Sequence, residues 1–444
     1  MARFTPHTDN EVSRMLEAIG VDSVASLFTD IPEDLRPRSF DIPPGRTEQE
    51  ALRIFTGLAR KNRTDFVSFL GGGYYDHYIP AAVDAVSSRS EFYTAYTPYQ
   101  PEASQGTLRA IFEYQTMIAG ITGLDFANAS LYDGGTALYE AIAMAVRSTN
   151  RGRIVIDKGV NPLYRRIVKT YVMNLEVEII EADLNDISTD KDRITSLLDE
   201  NSAAVVVQNP NFFGIVEDFE DLFAHAASRG VVSILAFYPL SLGILKTPGE
   251  MKADIAVAEG QSLGLPLSFG GPYLGIMSVE KRFVRKMPGR IAGETIDRSG
   301  RKAYVLTLQA REQHIRREKA MSNICTNESL CALRAAVYLS LLGKEGFKKT
   351  ALINLERAEY LKDCLRHIKG LEIKSGRTFN EFTIVLPVPA FDFVKKMLSR
   401  GFAAGLPASL YFKDKADHCI VSATEKRTES EIDDFSNAIR TVLS

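Results

Sequence analysis

Between Asp125 and Met277 the chain alternates short apolar strands with helical stretches, and no other feature limits its fold so tightly. Candidate strands fall at 127–131, 154–156, 177–180, 204–208, 231–237, 255–258 and 274–277. They are rich in Val, Ile and Ala and carry almost no charge. Strands covered by helices on both faces read as continuous apolar runs rather than alternating ones. Seven such runs separated by helices therefore predict an α/β fold around a mostly parallel seven-stranded sheet.

At 444 residues the chain is too long for one simple core. It divides on pattern into an N-terminal helical arm (1–65), a large α/β domain (66–342) and a small C-terminal α+β domain (343–444). In the arm, Thr8 with Glu11 and Thr47 with Glu50 have the spacing of capping boxes, and Gly20 can end the first helix. The apolar faces are Val12, Met15, Leu16 and Ile19, then Leu52, Phe55 and Leu58. In the small domain, strands are expected at 382–386 and 419–422. Thr428 with Glu431 opens a final helix carrying Ile432, Phe435, Ile439 and Val442.

Hydrophobic residues are 45% and charged residues 25%, as in a folded globular protein, and the formal charge of −3 gives no broad basic surface for nucleic acid or anionic lipid. No apolar run reaches membrane-spanning length. Residues 1–7 lack a signal-peptide core, so a cytoplasmic location is expected. Cys325, Cys331, Cys364 and Cys419 have no paired spacing and read as reduced thiols. The six histidines show no metal-ligand spacing, and no metal site is expected.

Two tyrosine-rich stretches stand out, one with glycines and one with prolines. Gly71-Gly72-Gly73-Tyr74-Tyr75-Asp76-His77-Tyr78 allows close backbone approach to another surface. In Tyr93 to Glu102, Pro98 and Pro101 fix a rigid loop that presents Tyr96, Thr97, Tyr99, Gln100 and Glu102. The basic run Arg311 to Lys319 reads as a solvated or ion-paired helix, or as a rim that attracts an acidic partner. Asp133-Gly134-Gly135-Thr136 joins a strand to a helix, where free amides and the helix dipole favour an anion.

The strand–turn–helix order, this turn and the glycine-rich segment 264–275 resemble the pyridoxal-phosphate (PLP)-dependent transferases of the aspartate aminotransferase type (type I). In that fold the turn holds the cofactor phosphate, and a lysine near position 261 or 262 holds the cofactor. Here those positions are Gln261 and Ser262, neither of which has an amine to form a Schiff base. The strand before should end in an acid for the pyridine nitrogen. It ends in Ala236-Phe237. The turn is thus a relict phosphate turn. Lys246 is the nearest alternative lysine, in a connection rather than after the correct strand.

Five long segments carry a closer resemblance: Tyr96 to Glu102, Ala127 to Leu131, Asn209 to Gly214, Gly264 to Gly275 and Arg311 to Asn327. They resemble glycine dehydrogenase (decarboxylating), the P-protein of the glycine cleavage system, over almost the whole chain. Length and the missing lysine resemble subunit 1, the α half of the split form. The resemblance implies decarboxylation of glycine with transfer of the aminomethyl group to the lipoyl arm of the H-protein. It implies PLP on a lysine of a β subunit and an α2β2 assembly. The loop residues Tyr96, Thr97, Tyr99, Gln100 and Glu102 then reach toward the β-subunit site, and no catalytic residue lies in this chain alone. The alternatives are a self-sufficient PLP enzyme using a lysine such as Lys246, and a non-catalytic regulatory subunit.

Overall fold

A computed structural model describes residues 6–39 and 41–444. Residues 1–5, the start of the stretch examined for a signal segment, lie outside them. Two compact units emerge, Met1–Asp65 and Phe66–Ser444.

The first unit has helices at Asp9–Ile19 and Glu48–Ala59. Thr8 and Thr47 form reciprocal capping boxes with Glu11 and Glu50, and Gly20 closes the first helix in the left-handed conformation. No residue of either helix is buried. The apolar stripe Leu52, Phe55 and Leu58 is exposed.

The second unit holds the seven-stranded sheet. Its strands are β1 (Phe126–Ala127), β2 (Arg153–Asp157), β3 (Glu178–Ala182), β4 (Ser202–Asn209), β5 (Val232–Phe237), β6 (Ile255–Glu259) and β7 (Gly275–Val279). The order is β1-β7-β6-β5-β4-β2-β3. Only β7 runs antiparallel to its neighbours. Side chains alternate between two cores with the period of two that a strand imposes. Ile154, Val206, Ile234 and Val257 meet the helices Gly134–Thr149 and Pro162–Val172 on one face. Val155, Val205 and Leu235 meet Phe219 and Phe223 on the other.

β1 is shorter than expected. Beyond Ala127 the backbone turns to other partners: the Ala129 amide donates to the Arg290 carbonyl (2.8 Å), and Asn128 donates to the Pro288 carbonyl (3.0 Å). The first helix after it starts inside the turn 133–136, at Gly134, because Asp133 caps the Thr136 amide at 2.8 Å.

A four-stranded antiparallel sheet, Glu372–Ile373, Glu381–Val385, His418–Ser422 and Leu406–Pro407 in spatial order, packs with the helices Ala390–Leu398 and Glu429–Leu443. The long helix Ser329–Leu365 runs through the position read as a domain boundary and breaks there at Gly343 (φ 57°, ψ −174°). The basic run is not a continuous helix. It forms three short turns, Gln309–Arg311, Gln313–Arg316 and Arg317–Lys319. Arg317 has φ 53°, which a helix interior forbids, and Arg311 is buried rather than solvated.

Candidate functional site

In open parallel sheets ligands bind beyond the carboxyl ends of the strands. Here those ends are Gln208, Ala236-Phe237 and Glu259, and Asn161 follows β2. They surround a cavity of only about 30 Å³, further lined by Gly73, Tyr75, Tyr164, Tyr238, Phe379 and Glu381. A ligand pocket commonly encloses roughly 300 Å³ or more. This space suits about two waters.

Gln261 fixes part of its wall. Its Oε1 accepts from the Tyr75 amide (3.1 Å), and its Nε2 donates to the carbonyls of Tyr75 (3.1 Å) and Leu265 (2.8 Å). The side chain at the lysine position therefore fastens the segment 71–78 into the cavity. Glu381 fastens it from the opposite side. It accepts from the Gly72 amide (2.6 Å) and the Tyr75 hydroxyl (2.9 Å). A Cβ at Gly71 would stand 1.8 Å from Glu381 Oε1, so only glycine allows this approach. A third fastening is Glu425, which accepts from the Tyr78 amide (2.7 Å), from Asn354 (2.9 Å) and from His77 Nδ1 (2.8 Å). His77 Nε2 bonds the Tyr238 hydroxyl, and the ring of Tyr238 lies 4.6 Å from that of Tyr75.

The turn Asp133-Gly134-Gly135-Thr136 does begin a helix, yet the chain itself serves its amides. Gly134 N–H donates to Glu259 Oε2 (3.0 Å), while Glu259 Oε1 accepts from the amides of Gln261 (3.1 Å) and Leu274 (3.0 Å). Asp133 takes the Thr136 amide and hydroxyl, the latter at 2.9 Å. The hydroxyl of Tyr164 stands 2.5 Å from where a Cβ of Gly134 would be.

PLP does not fit these residues. No amine stands at Gln261 or Ser262, both nearly fully buried, and no acid stands at Ala236. Two buried carboxyl groups border the space an anionic cofactor would need. Lys246 is elsewhere, on the surface, paired with Asp218 and with Glu220 (3.3 Å).

Burial pushes Glu259 up to about 8 and Glu381 up to about 7, although their amide donors pull the other way. Burial would also raise Glu425, but the His77 charge and hydrogen bonds with the Tyr78 amide and Asn354 outweigh it and hold the group down to about 2. Burial likewise raises the hydroxyls of Tyr75 and Tyr238 well above the usual range. The signs differ. Glu259 and Glu381 stabilise the fold fully below the unfolded value of about 4.3 and lose that contribution as pH rises through about 7–8. Glu425 contributes above about 4.3 and loses its contribution as pH falls toward 2. The stability these three groups contribute should therefore peak near about pH 4.3 and decline above it, by at most ~1.4 kcal/mol per pH unit per group. Urea unfolding at a series of pH values measures this. A stability that climbs steadily from about pH 5 to 8 would contradict the assignment.

The loop read from the sequence lies apart from the cavity. Tyr96, Tyr99, Gln100 and Glu102 are exposed, Thr97 is half-buried and Pro98 is buried beneath them. The Tyr99 hydroxyl accepts from Arg290 (2.9 Å), whose guanidinium also lies 5.3 Å from the ring centroid, and His314 meets the ring edge-on at 6.1 Å. Structure thus brings the loop together with Arg290 and His314, while Gln261 and the turn 133–136 bond Tyr75 and Glu259 of the cavity wall and Ser262 is buried next to Gln261. Sequence reasoning singled out the stretch 71–78 that carries Tyr75 and His77 but missed Asn161, Tyr238, Glu259, Glu381 and Glu425. The one available signal was the run of three glycines before Tyr74.

The model for the glycine cleavage system P-protein matches residues 2–439. A relative from Maridesulfovibrio salexigens, "Probable glycine dehydrogenase (decarboxylating) subunit 1", is 52% identical and covers 98% of this chain and 99% of its own. A crystal structure of glycine decarboxylase (P-protein) of the glycine cleavage system, in inhibitor-bound form, superposes with a TM-score of 0.93 at 41% identity and full coverage of both chains. The sphingosine-1-phosphate lyase of Burkholderia pseudomallei shares the fold alone, with a TM-score of 0.68 at 14% identity over 93% of this chain and 94% of its own. With a family model and near-full-length relatives in agreement, the chain belongs to the glycine cleavage system P-protein family.

Proposed function

We propose that this chain is the subunit of glycine decarboxylase that shapes and completes the active site without holding its cofactor. The reaction is decarboxylation of glycine, with the aminomethyl group passing to the lipoyl arm of the H-protein. The observation that carries the proposal is Gln261. At the cofactor-lysine position it makes three hydrogen bonds to backbone, two of them to Tyr75 of the cavity wall. A homologous β subunit would then supply PLP on its own lysine, with two αβ pairs forming the assembly. The name "subunit 1" of the relative supports a second chain. Its bacterial origin and the four free cysteines fit the cytoplasm. Among the described residues no helix is long and apolar enough to cross a membrane.

Exposed apolar side chains support the partner surface. Phe269 is 96% exposed at the tip of the 264–275 loop and has a positive φ, and Tyr96 is 76% exposed. Obligate interfaces commonly bury more than about 2,000 Å² and are apolar at their centre.

In this arrangement Tyr96, Thr97, Tyr99, Gln100 and Glu102 project toward the partner's site, held before substrate arrives by Pro98, Pro101 and Arg290. Tyr99 and Gln100 can hydrogen-bond glycine, and the ring of Tyr99 helps exclude water. Glu102 would repel a carboxylate, so it accepts from an ammonium or a partner cation. Reconstitution tests both levels. Glycine-dependent CO2 release should need both chains. In the assembled complex, Tyr99→Phe should lower turnover roughly tenfold or more, the loss of ~1.4 kcal/mol in the transition state. Wild-type turnover in Tyr99→Phe, Gln100→Ala and Glu102→Gln alike would reduce the loop to scaffold.

A further inference from the structure

The basic run takes no part in the closed cavity, meets the aromatic loop only through His314, and has an unusual fold. Arg311 is 9% exposed, yet of its five N–H donors the described residues use only the Nη1 group, which donates to the Met287 carbonyl. Its Nε and Nη2 are buried without a partner. Buried guanidinium groups are normally paired, because leaving the charge unpaired costs far more than any bond it makes to a carbonyl. Glu312, next in the chain, acts on it at a distance and forms no ion pair with it.

Arg311 lines a cleft of about 380 Å³ together with Arg285, Arg316 and Lys319, with Leu308, Ala310 and Met321 as the rest of the wall. Four cations and no carboxylate line it. Among the described residues none of the four makes an ion pair. Arg316 is held in place by its Nε–H bond to the Ala310 carbonyl (3.0 Å). The chain as a whole is slightly acidic, with a formal charge of −3, so this concentration of positive charge is local. A volume of this size suits a small ligand. Guanidinium groups bind planar or tetrahedral oxyanions through paired N–H donors, and Arg311 has unused donors on adjacent nitrogens.

We propose that this cleft is a binding site for a small oxyanion ligand bearing phosphate or carboxylate groups, with the buried Arg311 as its anchor and Arg285, Arg316 and Lys319 as its rim. It is separate from the cofactor cavity and does not depend on which subunit carries PLP.

Calorimetric titration of the full chain with sodium pyrophosphate at low ionic strength tests the site. One saturable site is expected, weakening as salt is added because the rim charges are screened. The double substitution R316Q/K319Q alters two exposed side chains and should weaken binding at least tenfold with the thermal midpoint of the unliganded chain unchanged. Arg311→Met should abolish binding. Competition by citrate would assign the site to oxyanions generally, and its failure would narrow the assignment to phosphates. Absence of saturable binding at millimolar pyrophosphate, or wild-type affinity in R316Q/K319Q, would overturn the proposal.

Discussion

Replacing Gln261 by alanine is expected to lower the unfolding free energy of the chain by about 3–5 kcal/mol. The side chain is 2% exposed and makes three hydrogen bonds to main-chain groups. Its removal strands the Tyr75 amide and the carbonyls of Tyr75 and Leu265 away from water. Each buried, unsatisfied group costs roughly 1–3 kcal/mol, and admission of a water recovers part of that. The segment 71–78 should loosen with it, because Gln261 holds both the amide and the carbonyl of Tyr75. Urea unfolding gives the magnitude, and hydrogen exchange at Tyr75 gives the location. A loss below about 1 kcal/mol would mean that Gln261 merely occupies space.

Restoring the lysine should not restore the cofactor. In Ser262→Lys a long ammonium chain enters a site where the serine is 2% exposed and the adjoining cavity measures about 30 Å³. Overpacking costs about 1–3 kcal/mol, and burying an unpaired charge adds several more. The carboxyl groups that line the cavity, Glu259 and Glu381, already accept from backbone amides or Tyr75. The variant should lose more than ~4 kcal/mol of stability and show no new visible absorbance when PLP is added. A stoichiometric visible band in a folded Ser262→Lys protein would show that the cavity opens readily, contrary to the fastening described above.

These two expectations mark where sequence reasoning succeeds and where it stops. The missing lysine and acid are single positions on identifiable strands, so their absence shows directly. Runs such as Ala204-Val205-Val206-Val207, β-branched and without alternation, suit strands covered on both faces. Capping boxes at Thr8, Thr47 and Thr428 are equally local, and all three form. What refills the cavity is not local. Tyr75 meets Gln261 and Glu381, and His77 meets Tyr238 and Glu425, across 161 to 348 residues of chain. No periodicity within any of these segments encodes such pairs. The basic run fails as a helix for a related reason. Its charges are spaced for a solvated helix, but burial of Arg311 and the backbone of Arg317 belong to tertiary packing, which propensity does not record. The aromatic loop fared better, since Pro98 and Pro101 constrain it wherever it lies. Its anchor, Arg290, remained invisible 191 residues away.

The account rests on one claim, that this chain shapes an active site whose PLP is bound elsewhere. Borohydride reduction of the assembled complex in the presence of PLP, followed by peptide mapping, tests it most directly. The account predicts the reduced label on a lysine of the partner chain and none on any lysine of this one. Stoichiometric label on a single lysine of this chain, Lys246 included, would contradict it.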